Sequence, residues 1–285
     1  MLQKKVTPMF LPGTRIEIVN PDLPRGQFSA VLFDFDGTLS LVREGWPEVM
    51  IPMMVDILAE TPQAEPREAL SEHVEEFVMR LNGKQTIYQM IHLAEEVGKR
   101  GGTAKEPLEY KQQYHDLLWE RVSGRVSGLK DGSVEPEILT VPGSRELLEK
   151  LQAAGCDLYL ASGTDHQFVA DELAALKLDA YFGPHVYGAQ DEYKSFSKKM
   201  IIEKLMAENS LGDGGLLGFG DGYVEIEEIK RVGGIAVGVA SDEKYREGIN
   251  EWKRNRLMRA GADIIIPDYR ERDALLAYLT NGADV

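Results

Sequence analysis

The sequence predicts an α/β protein: a Rossmann-like parallel sheet with helices on both faces, interrupted after its first core strand by an all-helical insertion. Three observations carry this reading. The apolar run Ala30–Phe35 stops at Asp36-Gly37, as a buried parallel strand does at its carboxyl end. Beyond Cys156, strand-like runs alternate with helix-like ones, the pattern of a sheet covered on two faces. Between the two, from about Leu41 to Thr140, apolar residues recur only at helical spacing. The α/β core is therefore assigned to residues 1–40 and 141–285, and the helical unit to 41–140. A chain of 285 residues exceeds the usual size of a single core, which agrees with two units.

In order along the chain, Thr14–Val19 reads as a short strand, followed by a turn-rich stretch through Asn20, Pro21, Pro24 and Gly26. These first ~28 residues exceed what a catalytic core needs and are expected to add an edge strand. In the insertion, Ala69, Leu70, Val74, Phe77, Val78 and Leu81 form one stripe, and Ile87, Met90, Ile91, Ala94 and Val97 another. Leu117, Leu118 and Val122 mark a further helix after Pro107, with breaks at Gly101-Gly102 and between Gly124 and Gly132. The core resumes with a helix over Ser144–Ala153 and a strand over Asp157–Ala161, then a helix over Gln167–Leu176 and a short strand near His185–Tyr187. Helix Lys198–Glu208, strand Leu216–Phe219, helix Val224–Val232, strands Ile235–Val239 and Asp263–Ile266, and helix Asp273–Leu279 complete it.

With 43% hydrophobic and 28% charged residues the chain reads as an ordinary soluble protein. A net charge of -15 opposes nucleic acid and anionic membranes as partners, but not a small phosphorylated metabolite bound in a locally cationic pocket. The N-terminal MLQKKVTPMFLPG lacks a signal-peptide core, and no stretch approaches the ~20 apolar residues of a membrane span. The single cysteine, Cys156, cannot form an internal disulfide and is expected to be a packed apolar residue. A cytoplasmic protein is the expectation.

Four polar groups follow apolar strands or begin helices. Asp34 and Asp36 are two apart at a strand end, so both carboxylates face the crevice where open α/β sheets bind ligands. Two close carboxylates resist ionising together, which separates an ionised nucleophile from a proton carrier, and a cation nearby would make the pair a metal site. Thr38 follows at once. Ser162-Gly163 ends a second strand with a small hydroxyl and exposed N–H groups suited to a phosphate oxygen. A lysine opening helix Lys198–Glu208 would neutralise a nucleophile and the charge developing on a transferred group. Asp221, with Glu225 four residues on, offers hard oxygen ligands of the kind magnesium prefers.

Val31–Leu39, VLFDFDGTL, resembles the first signature of the haloacid dehalogenase superfamily, and the other three groups resemble its later motifs in the same order. The resemblance is to phosphatases of the phosphoglycolate phosphatase type that carry a C1-type helical cap. It implies that Asp34 attacks phosphorus and becomes an aspartyl-phosphate, and that Asp36 serves as general acid and then base. It further implies that Thr38, Ser162, Gly163 and Lys198 hold the phosphate, and that Asp34, Asp36 (through its backbone carbonyl), Asp221 and Glu225 hold Mg2+. Lys194 and Lys199 compete with Lys198, and Glu225 stands where aspartate is commoner, which leaves water-bridged coordination open. Glycines and apolar runs in GGIAVGVAS and AGADIIIPD resemble the last strands of the same fold.

Dehalogenases of the superfamily lack an acid at the Asp36 position, so phosphoryl transfer is the expected chemistry. The implied reaction is magnesium-dependent hydrolysis of a small phosphate monoester, a sugar phosphate or a phosphoglycolate-like acid. A phosphomutase using the same aspartate pair and a catalytically silent binding protein are the alternatives. Arg43 and Trp46, just beyond the catalytic strand, are expected to help select the substrate from the cap side. His73, His92, His115 and His166 form no metal-ligand spacing and are expected to be structural.

Overall fold

The computed structural model describes residues 8–190, 193 and 197–281. The N-terminal segment contributes β1 (Met9–Phe10) and β2 (Glu17–Ile18), and the first core strand is β3 (Ala30–Phe33). Four helices follow: α1 (Pro47–Ala59), α2 (Arg67–Arg80), α3 (Thr86–Lys99) and α4 (Pro107–Asp131). The chain then runs α5 (Ser144–Ala153), β4 (Asp157–Asp165), α6 (His166–Ala175), α7 (Asp179–Phe182), β5 (Val186–Ala189) and α8 (Lys198–Glu208). It ends with β6 (Leu216–Gly220), α9 (Tyr223–Arg231), β7 (Ile235–Val239), α10 (Glu251–Ala260), β8 (Ile264–Ile266) and α11 (Arg272–Leu279).

The strands form one eight-stranded sheet in the order β1-β2-β8-β7-β6-β3-β4-β5. It is parallel from β8 to β5, and β2 adds to β8 antiparallel, so the N-terminal segment does supply an edge. β3 lies between β4 and β6, with Phe33 level with Leu160 and Phe219. The carboxyl ends of these three strands therefore meet, and each ends beside one of the sequence motifs.

Side-chain alternation along β3 explains how the sheet is covered. Val31 and Phe33 enter a core shared with Leu147, Leu151, Val169 and Leu276 of the α5, α6 and α11 face. Ala30 and Leu32 enter the opposite core, with Ile202, Leu205, Ile226, Ile229 and Leu257 of α8, α9 and α10. The Phe33 and Phe219 rings stack with centroids 4.8 Å apart. Each buried side chain of this size contributes about 1.5–3 kcal/mol of burial free energy, so the strand that carries the first motif is held from both faces.

Helices α1–α4 pack on one another, and two hinge segments join them to the sheet. Leu41 N–H donates to the Leu139 carbonyl and Val141 N–H to the Leu39 carbonyl. Helix α4, which starts with a reciprocal capping box between Glu106 and Glu109 and ends at Gly132, also packs on α6. No helix among the described residues is long and apolar enough to cross a membrane.

Most helices and strands fall within a residue or two of the sequence reading, the usual uncertainty of an element's end. Several features differ, among them the break expected between Gly124 and Gly132, where α4 runs unbroken to Asp131. β4 runs on to Asp165 instead of stopping at Ala161, carrying Ser162-Gly163-Thr164 in extended backbone. β1 and α7 were not expected. Nor was α10, because the run EWKRNRLMRA buries only Lys253 and Leu257 and so offers no apolar stripe.

Candidate active site

Asp34 is the residue just past β3, and its N–H donates to the carbonyl of Phe219 on β6 (2.9 Å). This ladder bond fixes the Asp34 backbone at the meeting point of the strands. The chain then turns sharply, with Ser40 N–H returning to the Phe35 carbonyl. Gly37 makes the turn at φ 72°, where a Cβ would lie 2.4 Å from Asp221 Oδ2. A larger residue would be strained in its backbone and would displace the second acid motif.

The two aspartates have different surroundings. Asp34 Oδ1 lies 2.8 Å from Lys198 Nζ. Burial pushes its carboxyl well above the ordinary range, and Lys198 pulls the other way. Asp36 Oδ2 accepts a hydrogen bond from the Thr164 hydroxyl (2.8 Å), and its Oδ1 lies 3.9 Å from Arg43 Nε. Burial also raises the Asp36 carboxyl, against the pull of Arg43 and Thr164. Asp36 Oδ1 and Thr38 Oγ1 are buried with no hydrogen-bond partner among the described residues. Such groups are costly unless something else satisfies them; Asp36 lines the cavity described below, whereas Thr38 is fully buried and does not line it.

Lys198 opens α8, whose first turn is capped by Ser197 accepting from Met200 N–H. Its ammonium is buried between Asp34 (2.8 Å) and Glu225 (2.9 Å), and the two acids hold its pKa up against desolvation. Lys199, the next residue, is exposed, and Lys194 lies outside the described residues. Ser162 is buried and its hydroxyl accepts from Thr164 N–H (3.1 Å). Gly163 faces the α2–α3 loop, where a Cβ would come within 2.8 Å of the Lys84 carbonyl. The absence of a side chain lets the α2–α3 loop close on the sheet.

Asp34, Asp221 and Glu225 present oxygens within 4.8 Å of one another, and the Asp36 carboxylate is not part of this group. Lys198 uses Oδ1 of Asp34, and a second lysine, Lys253 of α10, lies 2.7 Å from Oδ2 of Asp221. The other oxygen of each aspartate takes no hydrogen bond among the described residues. Glu225 differs. Its Oε1 accepts from Gly222 N–H (2.6 Å) and its Oε2 from Lys198, so both oxygens are engaged. The donor set of hard carboxylate oxygens is one that Mg2+ takes, since it uses one or two protein carboxylates and keeps several waters.

The helical unit and the sheet edge together form a small cavity of about 80 Å3, lined from below by Asp34, Asp36, Ser162, Lys198 and Asp221. From above it is lined by Trp46, Asn82, Lys84, Thr86, Gln89 and Tyr114. Arg43 also faces it, but its Nε and Nη2 are 2.7–3.2 Å from the Glu172 carboxylate, so most of its fork is already engaged. Arg256 of α10 binds the backbone carbonyls of Met79, Arg80 and Asn82, at the end of α2. It thereby fastens the loop that forms the cavity roof. The sequence reading missed Lys253, Glu243, Glu172 and the α2–α3 loop, which no local motif announces; Thr164, adjacent to Ser162-Gly163, was within reach of it.

The histidines lie apart from the acid group. His73 Nε2 of α2 is 2.8 Å from Glu96 of α3, His92 lies beside the same acid, and His115 Nδ1 is 3.8 Å from Asp165. His166 begins α6. Cys156 is half-buried, and burial raises its thiol pKa.

Comparison with known structures finds the same fold in several proteins. A predicted phosphoglycolate phosphatase from Haemophilus somnus 129PT is 18% identical with a TM-score of 0.58, covering 87% of this chain and 98% of that one. A predicted phosphatase from Clostridium acetobutylicum is 18% identical with a TM-score of 0.56, covering 89% and 100%. A β-phosphoglucomutase from Clostridium difficile is 13% identical with a TM-score of 0.53, covering 82% and 98%. At these identities the likeness speaks for the fold. No curated protein matches the sequence significantly. The family model for haloacid dehalogenase-like hydrolases matches residues 28–233, from the strand that carries the two aspartates to the helix after Asp221. The order of motifs, the sheet that gathers them and this match agree, and the chain belongs to the haloacid dehalogenase-like hydrolases.

Proposed function

We propose that the protein hydrolyses a small phosphate monoester in two steps through a phosphoryl group carried on Asp34. The observation that carries this reading is the difference between the two aspartates. Asp34 faces a buried ammonium, which favours its ionised form as a nucleophile. Asp36 has no ammonium against it, only the Thr164 hydroxyl and a guanidinium 3.9 Å away, and burial raises its carboxyl against their pull, which leaves it able to hold a proton. In the first step Asp34 attacks phosphorus, and the bond to the leaving oxygen breaks as Asp36 donates its proton to that oxygen. In the second step Asp36 takes a proton from water, and the water oxygen attacks the aspartyl-phosphate, releasing phosphate and regenerating Asp34.

Lys198 and Ser162 line the cavity and are suited to holding the phosphoryl oxygens, the role that the family resemblance also implies for Thr38. Asp34 and Asp221 would hold Mg2+ through their unbonded oxygens, with the Asp36 carbonyl as the family resemblance implies and Glu225 reached through water. When bound, Mg2+ supplies charge neutralisation around the transferred group.

The leaving group we infer is neutral and rich in hydroxyls, as in a sugar phosphate. Asn82, Thr86, Gln89 and Tyr114 offer hydrogen bonds, while Asp34, Asp36, Glu44, Asp221 and Glu243 make the lining strongly acidic. Of the lining cations, Arg43 is tied to Glu172 and Lys198 to Asp34, which leaves Lys84 as a weak counterweight to a second anion. A phosphoglycolate-like acid is disfavoured by that balance.

Phosphate release from a panel of sugar phosphates, phosphoglycolate and an aryl phosphate tests the reading, with and without Mg2+, using wild type and Asp34→Asn. Magnesium-dependent release lost in the variant supports it. Activity surviving in Asp34→Asn overturns the covalent route, and isomerised sugar phosphate in place of free phosphate points to mutase chemistry.

A further inference from the structure

Lys253 and Glu243 belong to none of the sequence motifs and have no part in the two steps above, yet they are built into the acid group. Lys253 Nζ is buried, 2.7 Å from Asp221 Oδ2 and 2.6 Å from Glu243 Oε1. Its third neighbour is the Ser241 hydroxyl at 3.5 Å, which itself donates to the Gly37 carbonyl (2.8 Å). Gly37 is wedged against the same two acids, since a Cβ there would lie 2.4 Å from Asp221 Oδ2 and 3.0 Å from Glu243 Oε1. The ammonium is thus fixed on three sides, and it grips one oxygen of Asp221 while the other takes no hydrogen bond among the described residues.

A surface lysine would gain little from such an arrangement, and a buried one carries a desolvation cost that its partners must offset. Here the partners are an acid from the second acidic motif and an acid with no other assigned work. The position has two electrostatic consequences for a divalent cation on Asp221. Lys253 repels it, being a fixed positive charge held against the same carboxylate. Glu243 partly cancels that repulsion by sharing the ammonium.

We propose that Lys253 and Glu243 are an affinity-setting pair for the divalent cation, with Lys253 a positioning residue that orients Asp221 and keeps metal binding weak and exchangeable. The proposal rests on the reading that Asp34 and Asp221 hold Mg2+. Removing the ammonium leaves Asp221 and Glu243 facing each other with no cation between them, an arrangement that a divalent ion relieves. Removing the Glu243 charge leaves Lys253 to act on Asp221 alone. The two substitutions therefore shift affinity in opposite directions, which a general loss of structure does not do.

The test is direct binding of Mg2+ by calorimetry and of Mn2+ by electron paramagnetic resonance, in the absence of substrate. It uses wild type, Lys253→Met, Glu243→Gln and Asp221→Asn, each checked for a cooperative thermal transition. Lys253→Met is expected to bind the ion about tenfold or more tightly than wild type, and Glu243→Gln several-fold more weakly. If Lys253→Met does not fold, the weakening in Glu243→Gln decides, and unchanged or tighter binding there overturns the proposal. Wild-type binding that Asp221→Asn abolishes but Lys253→Met leaves equal or weaker overturns the proposal while the metal reading stands. Wild type that binds neither ion overturns the metal reading, and the proposal falls with it.

Discussion

Replacing Lys198 by methionine keeps the apolar stem but removes a cation lying 2.8 Å from Asp34 and 2.9 Å from Glu225. Both acids are buried, so water cannot take over its role. A unit charge about 4 Å away is worth about 4 kcal/mol at the effective dielectric typical of proteins, and breaking a buried pair by deleting one partner costs about 3–5 kcal/mol. Burial already raises the Asp34 carboxyl, so without the ammonium it takes up a proton. A nucleophile held protonated and a transferred group without its cation together predict a fall in kcat of about a thousandfold, since each factor of ten is about 1.4 kcal/mol. The assay is steady-state phosphate release at saturating Mg2+, with Lys199→Met as the comparison. Lys199 is exposed on the next position of the helix and is expected to leave kcat within about twofold. A Lys198→Met enzyme within tenfold of wild type, or a Lys199→Met enzyme as damaged as it, would refute the reasoning.

Three further outcomes are expected. Asp36→Asn should lower kcat/KM by about 10²–10⁴-fold on alkyl phosphates and much less on aryl phosphates, whose leaving oxygen needs no proton, while kcat falls on both because the second step also uses Asp36; because burial raises the Asp36 carboxyl, wild-type kcat/KM on alkyl phosphates should decline with rising pH from above the ordinary carboxylate range, and that limb should be missing in the variant. His115, packed on Phe168 beside Asp165, has its pKa pushed down by burial from 6.5 to about 4, so it is neutral in the fold. Its contribution to stability is full above pH 6.5 and is lost as pH falls toward 4, and thermal melts of His115→Gln should lose that part of the acid sensitivity. Arg256→Ala removes the guanidinium from the carbonyls ending α2, so hydrogen exchange of residues 79–84 should speed up and KM should rise more than kcat falls.

The fold was legible because its strands are fully buried: β3, β6 and β7 read as unbroken apolar runs, and each motif sits where such a run ends. Asp34, Lys198 and Asp221 could be brought together from sequence because one sheet edge gathers them. What stayed hidden depends on partners distant along the chain. Lys253 looks like one of several surface charges in a basic helix, and only the packing of α10 on β7 turns it inward. Arg43 is adjacent to the catalytic strand and was expected at the substrate; Glu172, 129 residues away, takes up most of its fork. The roof of the cavity comes from a loop between two helices whose stripes report their packing and not their docking on the core.

The central claim is that phosphate passes through Asp34, and rapid acid quench of wild type mixed with a slowly turning-over phosphate monoester and Mg2+ tests it most directly. Mass spectrometry of the proteolysed protein should find a phosphoryl group on the peptide Gly26–Arg43, at Asp34, accumulating when Asp36→Asn slows hydrolysis and missing in Asp34→Asn. Full turnover with no phosphoryl group on that peptide at any quench time, or the group found on another residue, would contradict the account.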